Sequence, residues 1–143
     1  MCSSDLLYHY LLQETNTCYI VVHSLDGYDE LSLTGAAKLA TLTGEQLVTA
    51  TDLGLTAATP LELAGGRTPT ESAQLFLDVL EGRATRAQRD VVTANAALAI
   101  RCLEPDFSFA QALAAAQESL DSGRARAALR QLLAATRSQA MAV

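Results

Sequence analysis

The sequence lacks most of the features that would mark a disulfide-rich, zinc-binding, membrane or nucleic-acid-binding protein. It has no tryptophan, only three prolines and only three cysteines. Cys2, Cys18 and Cys102 are too few and too widely spaced for a zinc site or a disulfide framework, so we expect three reduced thiols. No apolar run approaches the roughly 20 residues of a membrane span, and no signal-peptide pattern opens the chain. The net charge of −6 argues against binding nucleic acid through its phosphates. We therefore expect a cytoplasmic protein.

Half of the residues are apolar, and 143 residues are enough for one domain with a core. Residues 19–22 (YIVV) form a short β-branched run, which is typical of a strand buried on both faces in a parallel sheet. Residues 38–42 and 45–50 flank Thr43-Gly44 and predict two strands joined by a tight turn.

Four helices are predicted after Gly65-Gly66. Each of the first three begins with a capping box. In this motif the hydroxyl of the N-cap residue accepts from a backbone N–H three residues later, and the Glu or Gln at that later position accepts from the N–H of the N-cap residue. The pairs are Thr68 with Glu71, Thr85 with Gln88, and Ser108 with Gln111. The fourth helix is predicted over residues 124–137. In the first of these helices an apolar face is formed by Ala73, Phe76, Leu77 and Leu80.

A strand buried on both faces needs neighbours on both edges, and the sequence supplies only some of them. We therefore predict an α/β fold that is the C-terminal portion of a mixed, mostly parallel sheet domain. Helices flank this sheet and make up the C-terminal half of the chain, and the domain is incomplete.

Three acidic residues, Asp26, Asp29 and Glu30, follow the first predicted strand. In a turn two adjacent carboxylates can converge, whereas in a strand they would point to opposite faces. Mg²⁺ prefers oxygen ligands and is usually held by one or two carboxylates plus substrate phosphates. The Asp29-Glu30 pair therefore indicates either a magnesium site for a phosphorylated substrate or a solvated acidic turn, since turns favour aspartate near glycine.

The longer string "VHSLDGYDELSLTG" (residues 22–35) resembles the loop of the anthranilate phosphoribosyltransferase family, which reads close to V-H-G-x-x-G-x-D-E-x-S-x-x-G. Two later strings, "LAGGRTPTESAQLFLDVLEG" and "QRDVVTANAALAI", are similar to that family's Gly-Gly segment with its helix and to its Asn-Ala-Ala helix. The likeness spans residues 7 to about 136 in the family's order. Ser24 departs from the pattern, in which glycine is commoner, and we expect it to be tolerated where the backbone avoids positive φ.

The resemblance implies transfer of the phosphoribosyl group of phosphoribosyl pyrophosphate to the amine of anthranilate, in tryptophan biosynthesis. It assigns Asp29 and Glu30 as ligands of Mg²⁺, which bridges to the diphosphate, and it assigns no catalytic residue to this chain. It also implies the fold of glycosyltransferase family 3, shared with class II nucleoside phosphorylases, and a homodimer for the complete enzyme.

Other parts of that family are absent from this sequence. There is no Gly-Thr-Gly-Gly-Asp loop to hold the diphosphate, no Lys-His-Gly-Asn stretch, and no candidate for the arginine that meets anthranilate. In the family these parts lie upstream, with the helical domain that forms the dimer. We therefore expect residues 1–143 to be a partial phosphoribosyltransferase domain that is inactive alone, with strands and the metal loop in 19–50 and helices in 68–137.

Several alternatives stay open. The chain could be a nucleoside phosphorylase or a non-catalytic paralogue of the same fold, or an unrelated α/β or helical interaction module. Residues 1–6 are either a non-native sequence joined to a partial gene or an ordinary polar N-terminus. His23 either orients Asp26 or touches substrate, or it hydrogen-bonds locally. Asn95 either bonds a loop backbone and holds the acidic turn, or it only packs.

Overall fold

The computed structural model describes residues 3–15 and 17–140, and within them a three-stranded sheet follows one helix and precedes four others. The elements are α1 (Ser3–Gln13), β1 (Val21–Ser24), β2 (Ala37–Thr41), β3 (Gly44–Val48), α2 (Pro69–Leu80), α3 (Arg86–Leu103), α4 (Phe109–Asp121) and α5 (Arg124–Ala140). Cys18 and Cys102 are free thiols, as predicted, and Cys2 lies outside the described residues. The described helices include none with the length and hydrophobicity of a membrane span.

The sheet has the order β1-β2-β3, and both strand pairs are antiparallel. The α/β class is confirmed, but the mostly parallel arrangement is wrong for the described strands. Residues 25–36 form a loop without a helix, so the chain returns beside β1 in the opposite direction. A connection between parallel strands usually contains a helix, which this loop lacks. The first strand also begins later than predicted, at Val21, and Tyr19 is the one buried residue of the run 19–22.

The predicted hairpin is present, with boundaries shifted by one or two residues. β2 and β3 pair from Ala37 opposite Val48 to Thr41 opposite Gly44, so Leu42 and Thr43 form the turn. One face of β2 is buried, because Ala37 and Leu39 are both only 1% exposed. This face lies over the core, which positions the loop that precedes β2.

The core is shared by the sheet, the loops beside it and α3. The loop of residues 25–36, between β1 and β2, is called the acidic loop below. Its Leu31 and Leu33 are 1% exposed and belong to the same buried cluster as Ala94 and Leu98 of α3. The other buried members of that cluster are Ala37, Leu39, Val48, Ala50, Leu53, Leu55 and Ala58. Two leucines of the acidic loop are therefore anchored in the core, close to the exposed carboxylates.

Two of the three predicted capping boxes are complete. Those that begin α3 and α4 form both reciprocal hydrogen bonds. At α2 the hydroxyl of Thr68 accepts from the N–H of Glu71 (3.2 Å), as predicted. The Glu71 carboxylate, however, accepts from the backbone N–H of Arg67 (2.7 Å) rather than from that of Thr68. The backbone before α2 folds tightly against its first turn, and this brings the N–H of Arg67 within reach.

Helix α2 forms where it was predicted, but its apolar face is not covered. None of its residues is buried, and Phe76 and Leu77 are 54% and 37% exposed. Phe76 borders a groove of about 300 Å³, so this part of the apolar face is not packed against the described part of the chain. An apolar stripe predicts that a helix is amphipathic, but not which partner covers it.

Candidate functional site

The two carboxylates predicted as metal ligands lie in the loop between β1 and β2. Asp29 and Glu30 are both exposed, and both line a pocket of about 430 Å³. The remaining lining residues come from the same loop, from Leu63 and from α3. They are Tyr28, Leu31, Ser32, Leu63, Val91, Val92 and Asn95. The structure therefore brings the acidic pair together with one polar side chain of α3.

That polar side chain, Asn95, forms hydrogen bonds with the loop backbone. Its Oδ1 atom accepts from the N–H of Leu31 (3.1 Å), and its Nδ2 atom donates to the carbonyl oxygen of Leu31 (2.8 Å). The same Nδ2 atom also donates to the carbonyl oxygen of Val91 in its own helix (2.9 Å). Of the two interpretations of Asn95, hydrogen bonding to the loop backbone is the one that the structure shows.

Ser24, the departure from the family pattern, is accommodated and makes a contact of its own. It ends β1, is 4% exposed and does not have a positive φ. Its hydroxyl donates a hydrogen bond to the backbone carbonyl of Glu30. The condition on which serine was expected to be tolerated, a backbone without positive φ, is met, and the side chain attaches the loop to the sheet.

The third acidic residue, Asp26, does not line the pocket but braces the loop. Its carboxylate accepts hydrogen bonds from the hydroxyls of Ser32 (2.7 Å) and Thr34. Partial burial raises the pKa of the Asp26 carboxyl. The hydrogen bonds from Thr34 and Ser32, together with backbone N–H donors, outweigh this and leave the pKa below its usual value. Sequence reasoning missed this brace, although the hydroxyl-rich string "SLTG" was a signal for it.

Leu33 holds the loop in a conformation that side chains rarely adopt. Its φ is 63°, in the left-handed region, which costs a non-glycine residue about 1–3 kcal/mol. Burial of its side chain and a hydrogen bond from the N–H of Ala58 to its carbonyl (3.0 Å) maintain this conformation. The strained residue lies close to the acidic pair, where the backbone must turn back toward β2.

The residues that line the pocket suit a hard divalent cation that takes some of its ligands from the protein and the others from water and substrate. The charged residues that line it are both acidic, so a phosphate could approach them only with a cation between. In the described part of the chain no three His, Cys, Asp or Glu side chains converge as a complete metal cage. Two exposed carboxylates that leave the other positions to water and substrate oxygens are what Mg²⁺ usually receives from a protein.

His23 lies in β1 opposite Lys38, and its predicted roles near Asp26 or substrate stay predictions. The pocket lining comes from the loop, from Leu63 and from α3 rather than from β1.

The glycosyl transferase family, a/b domain, matches residues 8–126. Anthranilate phosphoribosyltransferase of Bacteroides fragilis (strain YCH46) is 47% identical over 127 residues, which are 89% of this chain and 38% of that protein. The same-named protein of Cytophaga hutchinsonii is 46% identical over 119 residues, which are 83% of this chain and 36% of that protein. The chain therefore spans less than two-fifths of the length of these curated relatives.

Solved structures of the same-named enzyme share the fold. That from Thermus thermophilus matches with a TM-score of 0.74 and 30% identity, over 82% of this chain and 35% of its own. The enzyme from Saccharomyces cerevisiae in complex with PRPP and Mg matches with a TM-score of 0.85 over 96% of this chain and 40% of its own. At 19% identity, the second match shows a common fold alone.

Proposed function

This chain belongs to the glycosyl transferase family through its α/β domain, and we propose that it forms the C-terminal part of an anthranilate phosphoribosyltransferase. The complete enzyme would transfer the phosphoribosyl group of phosphoribosyl pyrophosphate to anthranilate, in tryptophan biosynthesis, in the cytoplasm. One observation carries the proposal: Asp29 and Glu30 line one pocket, in a loop whose sequence resembles that of the anthranilate phosphoribosyltransferase family.

Asp29 and Glu30 are proposed to hold Mg²⁺ beside the diphosphate of the substrate. The support is the donor set of two exposed carboxylates and the yeast relative, which is described in complex with PRPP and Mg. Bound there, Mg²⁺ would neutralise charge on the departing diphosphate. The role of this chain is then to position charge, because the lining hydroxyl of Ser32 already braces the loop through its hydrogen bond to Asp26.

The rest of the machinery is proposed to come from a second region, corresponding to the part of the relatives that this chain does not match. Among the large apolar side chains that the described structure leaves exposed, those on α1 and α2 are proposed to pack against that region. They are Leu7, Tyr8, Tyr10 and Leu11 on α1, and Phe76 and Leu77 on α2. The outer edges of β1 and β3 in the described sheet offer further contacts. Residues 1–143 are thus one partial α/β domain, inactive by itself, and the homodimer is a property of the complete enzyme.

A second candidate function is a non-catalytic interaction module of the same fold. The exposed apolar face of α2 favours it, because such faces commonly bind another protein. The two candidates differ in whether the acidic pair matters for chemistry.

A chimeric enzyme separates them. The segment of the Bacteroides fragilis enzyme that this chain matches is replaced by this chain, and formation of phosphoribosyl anthranilate is measured. We expect magnesium-dependent turnover in the chimera, little in Asp29→Asn or Glu30→Gln, and background rates for the isolated chain. A folded chimera without turnover above background would favour the non-catalytic module, whereas turnover that ignores both substitutions would contradict the metal assignment.

A further inference from the structure

We propose that Asn95 is a positioning residue that sets the metal affinity of the Asp29-Glu30 pair by clamping the backbone of Leu31. The inference rests on the proposed function, since it concerns how the metal pair is held. It links a residue of α3 to a loop that is 64 positions away in the chain.

The clamp has a defined orientation. Asn95 Nδ2 faces two carbonyl oxygens, those of Leu31 and Val91, and Oδ1 faces the N–H of Leu31. Turning the amide over would set its oxygen against two carbonyl oxygens and its NH₂ group against an N–H. The hydrogen-bond partners therefore fix which end of the amide is which. Side chain and loop pair as neighbouring strands do, through one donor and one acceptor on each side.

The clamp acts on the peptide group that directly follows the acidic pair. This group consists of the carbonyl of Glu30 and the N–H of Leu31. The carbonyl accepts from the hydroxyl of Ser24, and the N–H donates to Asn95. Both polar atoms of one peptide group are thus tied, one to β1 and one to α3. The side chain of Leu31, 1% exposed, fixes the next position in the core.

The consequence for metal binding follows from preorganisation. Rotation of the Glu30–Leu31 peptide group would move the Glu30 carboxylate relative to that of Asp29. With the group tied at both ends, the pair does not have to be ordered when a cation binds. Residues that orient metal ligands in this way typically contribute about 10–100-fold to metal affinity.

A purely structural role for Asn95 makes a different prediction, and Thr93 provides the matched control. Thr93 lies on the same helix, is 1% exposed, and donates its hydroxyl to the carbonyl oxygens of Arg89 (3.0 Å) and Asp90 (3.2 Å). Thr93→Val removes the two hydrogen bonds of a buried side chain, and their acceptors both lie in α3. It should lower stability and leave metal affinity unchanged.

The experiment measures Mn²⁺ binding to the full chain by the electron paramagnetic resonance signal of the free ion. We expect Asn95→Ala to weaken binding about tenfold, Thr93→Val to leave it unchanged, and Asp29→Asn to abolish it. Equal affinity of Asn95→Ala and the unmodified chain would overturn the inference and leave the metal pair standing. An unmodified chain that binds no Mn²⁺ would overturn both.

A second measurement needs no substitution and holds even if Asn95→Ala does not fold. If the hydrogen bonds between Asn95 and Leu31 raise the metal affinity by some factor, metal binding must favour formation of those hydrogen bonds by the same factor. Adding Mg²⁺ to the unmodified chain should therefore slow hydrogen exchange at the Leu31 amide, with no change at the Thr93 amide. Exchange at Leu31 that does not respond to saturating Mg²⁺ would overturn the inference.

Discussion

The Asp26 carboxylate lies so close to the backbone of Gly35 that a Cβ atom at position 35 would be 2.8 Å from its Oδ2 atom. Gly35, the last residue of the family pattern, thus leaves room for the Asp26 carboxylate. This carboxylate braces the acidic loop by joining its first part to its end. Gly35 is needed for this contact rather than for an unusual φ, since its φ is not in the positive region.

Gly35→Ala should therefore displace Asp26 from Ser32 and Thr34. We expect a loss of about 1–3 kcal/mol in the free energy of unfolding, the usual cost of overpacking. Urea denaturation checks this, with Gly65→Ala as the control because a Cβ atom there meets nothing within 4 Å. Equal stability of Gly35→Ala and the unmodified chain would contradict the close contact.

The adjacent glycines before α2 should respond differently to the same change. A Cβ atom on Gly66 would lie 2.3 Å from the backbone nitrogen of Ser72, whereas one on Gly65 would lie in open space. Backbone atoms cannot move aside as a flexible side chain can, so Gly66→Ala should cost about 1–3 kcal/mol. Gly65→Ala should stay within about 0.5 kcal/mol of the unmodified chain. A thermal melt of each variant tests the pair, and similar losses in both would be the contrary result.

The brace at Asp26 should make part of the stability depend on pH. Its folded-state pKa lies below the unfolded value, so the ionised form is stabilised in the folded chain. This contribution is fully present above the unfolded pKa, which is about 3.9, and it is lost as the pH falls through the lower folded pKa. Asp26→Asn should therefore destabilise the chain at pH 7, and the difference from the unmodified chain should shrink at lower pH.

A double-mutant cycle with Ser32→Ala assigns that dependence to the hydrogen bond. The coupling free energy between positions 26 and 32 should be favourable at pH 7 and should diminish in acid. A coupling that does not change between pH 7 and pH 2 would contradict the assignment.

The exposed face of α2 predicts that one substitution leaves the stability of the isolated chain unchanged but lowers the stability of the chimera. Phe76 is 54% exposed, so Phe76→Ser should change the stability of the isolated chain by no more than about 0.5 kcal/mol. Leu39→Ala, at a position only 1% exposed, should cost about 2–5 kcal/mol and serves as the contrast. In the chimera, Phe76→Ser should lower stability or yield, because the second region would cover this face. Equal tolerance in both contexts would show that α2 is not part of that contact.

Signals confined to a few neighbouring residues were sufficient to predict much of the fold. Thr85 with Gln88 and Ser108 with Gln111 mark helix starts because the capping interaction lies within one turn. For the same reason a tight turn was predicted at Thr43-Gly44, one residue beyond the observed turn at Leu42-Thr43. The adjacent Asp29 and Glu30 could be selected as a candidate site because both residue type and spacing are visible in the string.

Features that depend on distant residues could not be read in this way. A β-branched run indicates a strand but does not give the direction of its neighbour, so the antiparallel pairing of β1 with β2 was not predicted. The reach of Glu71 to Arg67 depends on how the backbone enters α2. The left-handed φ of Leu33 is maintained by its burial and by Ala58. For Asn95 the sequence allowed two roles, and only the three-dimensional contact with Leu31 separates them.

The most direct test of the account is anomalous diffraction from crystals of the chimera grown with Mn²⁺ and phosphoribosyl pyrophosphate. The account predicts a manganese peak within coordination distance, about 2.0–2.6 Å, of carboxylate oxygens of both Asp29 and Glu30, with diphosphate oxygens on its other side. A manganese ion held by the diphosphate and other residues alone, with neither carboxylate in contact, would contradict it.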